Sequence, residues 1–345
     1  MAGTSIHDIA KKSGVSLSTV SRVLNNNSRV NEELRSKVLS VIKETRYMPN
    51  VSARSLRMGK KYRYQKTGNI GFVIPEESIG GFADPFYSSI LNGIISQAND
   101  SDLALLCDTV KSDYSETVDL PKMLRERAVD GLVAAGPLNR VFVAQVQRMK
   151  IPLVLVESYL PGFEIDSILS DNFQGAYNAV KHLVDCGHGR IAMLRNPPDH
   201  ETNADRFSGY RAALKDSGIE YDDKLVQMTD GSMEGGYNDM LTLLDRGKPF
   251  TALFANNDNA AIGAKSAAES RGLKVPEDIS MVGFDNIILS SEVITNLTTV
   301  DVPKRDMGKA AVRRLQELLD GKNPQASKLM MSSRLVERKS VRKIS

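Results

Sequence analysis

The sequence predicts an α/β protein. A small helical head with a helix-turn-helix layout precedes a two-lobed body built on doubly wound parallel sheets. Three observations carry this expectation. From Asn69 onward, short apolar runs alternate with helical stretches, the pattern of parallel strands joined by crossover helices. Residues 4–47 show helical spacing alone. The net charge of +3 also conceals a division. Residues 1–66 carry fourteen Lys and Arg against four acids, a balance of +10, whereas the other 279 residues carry 31 basic and 38 acidic groups, a balance of −7. A basic head on a mildly acidic body points to a polyanionic partner for the head, either nucleic acid or an anionic membrane.

In the head, Thr4 is a candidate N-cap for a helix carrying Ile6, Ile9 and Ala10 at helical spacing. Ser13-Gly14 breaks that helix, because glycine readily takes the backbone of a tight turn. Ser16 caps a second helix whose apolar face is Val20, Val23 and Leu24. Its opposite face shows Leu17, Ser18, Ser21, Arg22 and Asn25. A third helix starts at Asn31 with Glu32 and Glu33 in its first turn, where the helix dipole favours acids. Leu34, Val38, Leu39 and Ile42 form its apolar side up to Tyr47. Two helices around a glycine turn, with a third in support, form the layout that places a short polar helix in a DNA major groove. Hydroxyl, amide and guanidinium groups on that helix suit base edges. A generic three-helix bundle with a polar face would read similarly, but it would not explain the +10 charge.

Pro49 ends the third helix and Asn50 can cap a further short one. There Leu56 lies between Arg54 and Arg57, the chemistry of a minor-groove wedge; a plain helical linker fits the same residues. Residues 59–68, GKKYRYQKTG, have linker composition.

In the body, strands are expected at NIGFVIP, LALLCD, GLVAAG, IPLVLVE, RIAMLRN, TALFAN and ISMVGFDN, with a further short element at 224–228. Helices are expected at 87–99, 115–127, 140–148, 175–186, 204–217, 235–245, 259–271 and 304–320. So many elements imply two lobes, with a ligand cleft at the carboxyl ends of the strands. The residues just beyond those ends are Asp84, Phe86, Tyr87, Glu157, Arg206, Asn257 and Asp285, with Asp258 and Asn286 read as helix caps. Carboxylates, an amide, a guanidinium and aromatic rings together suit a polyhydroxylated ligand.

Other classes lack their signatures. Apolar residues make up 41% and charged residues 25% of the 345, which excludes a wholly disordered or fibrous chain. The longest apolar run, Ile151–Val156, is far short of the roughly 20 residues of a membrane span. The N-terminus shows no secretory signal and two cysteines make no disulfide scaffold, so the expected location is cytoplasmic. His182, Cys186 and His188 lie close together, but their stretch reads as helix end, turn and strand rather than a metal site. There is no H-E-x-x-H, phosphate loop, dinucleotide fingerprint or nucleophile elbow.

Together, head and body resemble the lactose-repressor/galactose-repressor (LacI/GalR) family of bacterial transcription regulators. The likeness rests on TSIHDIAKKSGVSLSTVSRVLNNNSRV and YMPNVSARSLRMGK in the head. In the body it rests on DPFYSSILNGI, HLVDCGHGRIAML, DRFSGYRAAL, FANNDNAAIGA, PEDISMVGFDN and LTTVDVPKRDMGKAAV, with SSRLVERKSV as a last strand, and it spans residues 4–340. The resemblance implies a helix-turn-helix domain at 1–48, a hinge helix and linker at 49–68, and a periplasmic-binding-protein-like body at 69–341. Lobe 1 would take about 69–170 and 301–330, and lobe 2 about 171–300 and 331–341. It implies DNA contacts by Thr4, Ser16, Leu17, Ser18, Thr19, Ser21, Arg22, Asn25, Asn50, Ala53 and Leu56, with Leu56 as the minor-groove wedge. It implies effector contacts by Asp84, Phe86, Tyr87, Glu157, Arg206, Asn257 and Asp285.

The implied protein is a homodimeric repressor on a pseudo-palindromic operator, nucleoid-associated when bound. It would be governed by a small polar effector, a sugar or sugar derivative. No cofactor, metal or catalytic residue is implied. A protein corepressor is the alternative; a solute-binding protein or a sugar-active enzyme fits less well. The absence of a C-terminal leucine heptad suggests a dimer rather than a tetramer. One departure concerns the effector. Gly231 stands where the family commonly has an aromatic platform, leaving Phe86 and Tyr87 as aromatic contacts and suggesting a larger ligand.

Overall fold

The computed structural model describes residues 6–24, 30–45, 66–76, 78, 80–111, 120–198, 200–291, 296–322 and 325–344. Thr4, Asn25, Asn50, Ala53 and Leu56 lie outside these residues, as does most of the hinge and linker segment. The chain divides into two compact units, Met1–Gln65 and Lys66–Ser345.

In the first unit, helices Ile6–Ser13, Leu17–Leu24 and Glu32–Thr45 enclose a core of Ile9, Val20, Val23, Val30 and Val38. Gly14 turns the chain at φ +65. Ser16 caps the second helix, its Oγ accepting from the Thr19 amide at 3.2 Å. Asn31 caps the third in the same way through the Glu33 amide at 2.9 Å. Leu34 and Leu39 are exposed rather than packed. The inward stripe runs through Val38, Val41 and Ile42, and Leu39 is rotated about 100° from Val38.

The second unit holds two six-stranded sheets. In the first are β1 (Asn69–Pro75), β2 (Ala104–Val110), β3 (Gly131–Ala135), β4 (Leu153–Val156), β5 (Asp166–Ser170) and β11 (Lys328–Met331), in the order β11-β5-β4-β3-β1-β2 and parallel throughout. In the second are β6 (Ile191–Arg195), β7 (Val226–Met228), β8 (Ala252–Ala255), β9 (Ser280–Asp285), β10 (Thr298–Asp301) and β12 (Arg334–Val336). Their order is β12-β10-β9-β8-β6-β7, with β12 alone antiparallel to its neighbour. Most strands are continuous buried apolar runs, because helices cover both faces of a parallel sheet. Each lobe reverses its strand order beside its first strand, between β1 and β3 and between β6 and β8. A doubly wound sheet opens a crevice at that point.

Several elements differ from the sequence expectation; β10 and β11, like β5, fall outside the expected strands. β5 was not anticipated, since DSILS holds only two aliphatic residues. All five of its residues are nonetheless buried. Asp166 is buried because Arg314 Nε donates to it at 2.7 Å and the Ser327 amide at 2.9 Å, so a polar residue occupies a core position with its partners supplied from far along the chain. The helix expected at 115–127 is described only over Lys122–Arg125; residues 112–119 lie outside the described set.

Helix Lys304–Leu319 follows β10 of the second sheet but packs on the first lobe, against helix Pro85–Asp100. The two helices approach closely at Gly93 and Gly308. A Cβ on Gly93 would stand 2.0 Å from the Arg305 carbonyl oxygen, and one on Gly308 would stand 2.2 Å from that of Ile90. Both obstacles are backbone, so the helices must separate to admit a methyl group. Gly93→Ala is expected to destabilise the body by about 1–3 kcal/mol in urea unfolding. Gly189→Ala, where a Cβ meets nothing within 4 Å, should stay within about 0.5 kcal/mol of wild type.

Candidate functional site

On the head, the second helix presents an exposed polar surface. Ser16, Ser18 and Arg22 are exposed, while Leu17, Thr19 and Ser21 are half-buried. Ser16 Oγ also lies 2.8 Å from Ser18 Oγ and 2.9 Å from Thr19 Oγ1, so the start of the helix carries a linked set of hydroxyls.

In the body, the two switch points face each other across a cleft of about 440 Å³. Pro75, Gly136 and Pro137 come from the ends of β1 and β3; Asn196, Asn256 and Asn257 come from the ends of β6 and β8. Asp84, Phe86, Tyr87, Glu157, Arg206, Asn257 and Asp285 all line it.

Arg206, on helix Glu201–Asp216, is only 6% exposed. Its Nε donates to Asn172 Oδ1 at 2.7 Å and its Nη1 to the Asn256 carbonyl at 2.6 Å. Its Nη2 lies 3.1 Å from Asp285 Oδ1 and 4.0 Å from Glu157 Oε2. The guanidinium carbon sits 3.8 Å from the centre of the Phe284 ring. Glu157 Oε1 accepts from the Ser170 amide and Oε2 from Asn172 Nδ2 at 3.2 Å. This carboxylate therefore holds the amide that in turn orients Arg206. Glu157 and Asp285 both take positive φ, +50 and +105. Such backbone costs about 1–3 kcal/mol per residue and tends to gather at functional sites.

Asp84 caps helix Pro85–Asp100, accepting from the amides of Phe86 at 2.8 Å and Tyr87 at 3.3 Å. Burial pushes its carboxyl up against the pull of those two amides and of the Asn259 side chain on the other lobe. Tyr87 is pushed up to about 12 by burial and stays a neutral phenol. Its hydroxyl occupies the space beside Gly136, where a Cβ would lie 2.4 Å away, and Gly136 has φ +86. Only glycine leaves room for that ring. Burial also pushes Asp285 up to about 6, against the opposing charges of Arg206 and Lys304.

Asp258 and Asn286 are not caps. Asn257 caps helix Asp258–Ser270, accepting from the Ala260 amide at 2.8 Å. Asp258 is fully buried and accepts from Thr299 Oγ1 at 2.5 Å and the Ile287 amide at 2.9 Å. Burial first, and then the charge of Asp285, push it up to about 7. Asn286 is gripped by Arg338 Nη2 at 2.6 Å and itself donates to Asp301 at 2.9 Å.

Sequence reasoning missed an amide wall formed by Asn196, Asn203, Asn256 and Asn259, with Ser78, His200 and Thr202 nearby. Asn196 and Asn256 directly follow strands, so the strand-end rule that found Glu157 could have found them. The space expected beside Gly231 is filled. A Cβ there would lie 2.7 Å from Asn196 Nδ2 and 2.9 Å from Asn257 Nδ2, and φ is +83. Amides stand in the place expected to be open. His188 lies 2.9 Å from Thr251 Oγ1 through Nδ1 and 3.1 Å from the Arg342 carbonyl through Nε2, a contact with the segment that follows the last strand. Among the described residues, no group of His, Cys, Asp and Glu could hold a metal, and no helix is long and apolar enough to cross a membrane.

Known proteins resemble both parts of the chain. A family model described as "Bacterial regulatory proteins, lacI family" matches residues 5–50, and one described as "Periplasmic binding protein-like domain" matches residues 180–341. The chain is 34% identical to the HTH-type transcriptional regulator DegA of Bacillus subtilis over 98% of each chain. It is 32% identical to the HTH-type transcriptional repressor CytR of Escherichia coli over 97% of this chain and 95% of that one. Among solved structures it resembles the lac repressor dimer bound to operator and the anti-inducer ONPF, with a TM-score of 0.83, 28% identity and coverage of 99% and 100%. It also resembles the complex of the transcriptional regulator CelR with cellobiose, with a TM-score of 0.72, 27% identity and coverage of 98% and 99%.

The Asp258 carboxyl generates a pH prediction. Its folded-state value, about 7, lies above its ordinary 3.8. The stability that its neutral form contributes is fully present below pH 4 and is lost as pH rises through 7. Asp258→Asn keeps a neutral group against Thr299 and Ile287. Its melting temperature should therefore fall less steeply between pH 4 and 7 and exceed that of wild type at pH 8. A wild-type pH profile in the variant would show that Asp258 does not titrate there.

Proposed function

The chain belongs to the lacI family of bacterial regulatory proteins and is a DNA-binding transcriptional regulator, and from that premise we propose that it is a cytoplasmic repressor switched by a sugar or sugar derivative. The observation that carries this reading is the convergence of Asp84, Phe86, Tyr87, Glu157, Arg206, Asn257 and Asp285 on one cleft at the switch points of both lobes. Carboxylates and amides there can orient hydroxyls, while the Phe86 and Tyr87 rings, edge to face at 5.6 Å, can cover the C–H face of a sugar ring. The cellobiose held by the similar CelR supports a carbohydrate.

Two protomers associate through their bodies. Exposed apolar side chains on each lobe, Ile95 and Leu106 on one and Ile288 and Leu289 on the other, support such an interface. Two heads then take the half-sites of a pseudo-palindrome. Ser16, Leu17, Ser18, Thr19, Ser21, Arg22 and Asn25 serve the major groove, Thr4 adds a further DNA contact, and Asn50, Ala53 and Leu56 serve the minor groove, where Leu56 opens the central step. Effector favours one arrangement of the lobes and so alters how the two heads are held. It must bind the two states unequally to do so, and a tenfold change in operator affinity takes about 1.4 kcal/mol of coupling.

Selection from a random duplex pool with the full-length protein tests the DNA reading: a palindromic consensus with a deformable central step is expected, and an asymmetric one would refute the dimer. On the selected operator, Leu56→Ala should weaken specific binding far more than non-specific binding; equal losses would remove the wedge. Phe86→Ala should weaken binding of the responding sugar at least about tenfold and leave effector-free operator affinity near wild type. A normal sugar response in that variant would take Phe86 out of the site.

A further inference from the structure

We infer that the effector is an uncharged, hydroxyl-rich molecule and that the cleft rejects phosphate and carboxylate groups. The inference rests on the proposed reading of the cleft as a small-molecule site and narrows its ligand.

The cations around the cleft are already engaged by protein groups. Arg206 is the one Lys or Arg among the described lining residues. Its Nε and Nη1 are given to Asn172 and Asn256, and its Nη2 faces two carboxylates. The Lys304 ammonium behind it donates to the carbonyls of Asp285, Val302 and Asn286. Three of the amides, Asn203, Asn256 and Asn257, are oriented by backbone groups that admit a single direction. Asn203 Nδ2 donates to the Pro197 carbonyl, so its Oδ1 must be the acceptor for Asn256 Nδ2 at 3.0 Å. Asn257 Nδ2 donates to the Gly231 carbonyl at 3.0 Å, while its Oδ1 accepts from Ala260.

Three acceptors in the lining, by contrast, have no donor. Asn256 Oδ1, Asn196 Oδ1 and Asp285 Oδ1 are buried and receive no hydrogen bond. Arg206 Nη2 attracts Asp285 Oδ1 at 3.1 Å through charge, without hydrogen-bond alignment. Asn256 is 1% exposed and Asp285 8%. Buried acceptors without hydrogens are costly to leave so. A ligand hydroxyl supplies the missing hydrogen; a phosphate or carboxylate supplies only further acceptors. Charge acts in the same direction. Asp84, Glu157, Asp230 and Asp285 all line the cleft. Burial already pushes Asp84 and Asp285 up, and each negative neighbour pushes Asp285 further. An entering anion would meet these carboxylates with no uncommitted cation to offset them. A polyol brings donors without charge, and the amide wall receives it without an ion pair.

The test is isothermal titration of the full-length protein at pH 7.5 with matched sets: cellobiose and cellobiose 6-phosphate, glucose, glucose 6-phosphate and glucosamine, ribose and ribose 5-phosphate. A neutral member is expected to bind roughly a hundredfold or more tighter than its phosphate ester. An ester that binds as tightly as its parent, or glucosamine that binds tenfold tighter than glucose, overturns the charge inference and leaves the small-molecule reading standing. Silence from every member, charged and neutral, in a panel widened to other sugars and nucleosides removes that reading and this inference with it. Asp285→Asn, checked for folding by thermal melt, should weaken the neutral ligand at least tenfold and shrink its advantage over the ester. If that variant changes neither, Asp285 Oδ1 is not the acceptor that the ligand fills.

Discussion

The Arg206 guanidinium is nearly sealed from water. A cation in that position persists only where its donors are met and its charge is offset. Much of the surrounding structure meets that demand. Asn172 takes Nε, and Glu157 holds Asn172 in place while adding negative charge. The Asn256 carbonyl, at the end of β8, takes Nη1. Asp285, at the end of β9, supplies a carboxylate at 3.1 Å, and Phe284 offers the face of its ring. Removing one partner of such a buried pair costs about 3–5 kcal/mol, because the other charge is stranded. One side chain thus draws together the ends of three strands from two sheets, and the positive φ of Glu157 and Asp285 is what that convergence demands of the backbone.

The same centre reaches the connections between lobes. Glu157 follows β4 of the first sheet, yet its partner Asn172 begins the helix that packs on the second lobe. Lys304 begins a helix packed on the first lobe, yet its ammonium is buried against carbonyls at the end of β9 in the second. Burial pulls that ammonium down while Asp285, Asp301 and Asp258 hold it charged. Each lobe therefore contributes a polar group to the other's strand ends, beside the cleft. A ligand that changes the balance at Asp285 acts on a residue whose carbonyl is held from the opposite lobe. That physical linkage is what an effector requires if it is to alter the relative disposition of the lobes.

How far the sequence alone reaches depends on where a residue's partners lie. The strand–helix alternation was legible because parallel strands buried on both faces leave continuous apolar runs. β5 was illegible because Asp166 is made tolerable by Arg314 and Ser327, about 150 residues further on. In the head, helical spacing found Val20, Val23 and Val38, but it also admitted Leu34 and Leu39, which the structure leaves exposed beside the inward stripe of Val38, Val41 and Ile42. For the cleft, position after a strand was enough to single out Glu157, Asn257 and Asp285. It could not separate a cap from a buried acid: Asn257 and Asp258 are adjacent in sequence, and only the fold assigns the cap to one and the Thr299 bond to the other. Gly231 shows the same limit from the other side. The sequence registers a missing ring, but not the two amides that stand in its place.

Those amides change the kind of surface that the cleft offers. An aromatic platform binds by area and tolerates many rings, because its attraction is largely non-directional. An amide held by a backbone carbonyl on one side presents a fixed acceptor or donor on the other, and a buried fixed acceptor discriminates by the penalty of leaving it empty. Asn256 is locked through Asn203 to the Pro197 carbonyl, and Asn257 to that of Gly231. Asn257 cannot turn to suit a different ligand without breaking its hydrogen bonds to the main chain, nor Asn256 without losing its bond to the Asn203 side chain. Selectivity on this side of the cleft therefore follows from where hydroxyls are placed around a ring more than from the size or flatness of the ring itself. The glycine that removed the platform is also what lets the Asn196 and Asn257 amides close over that position.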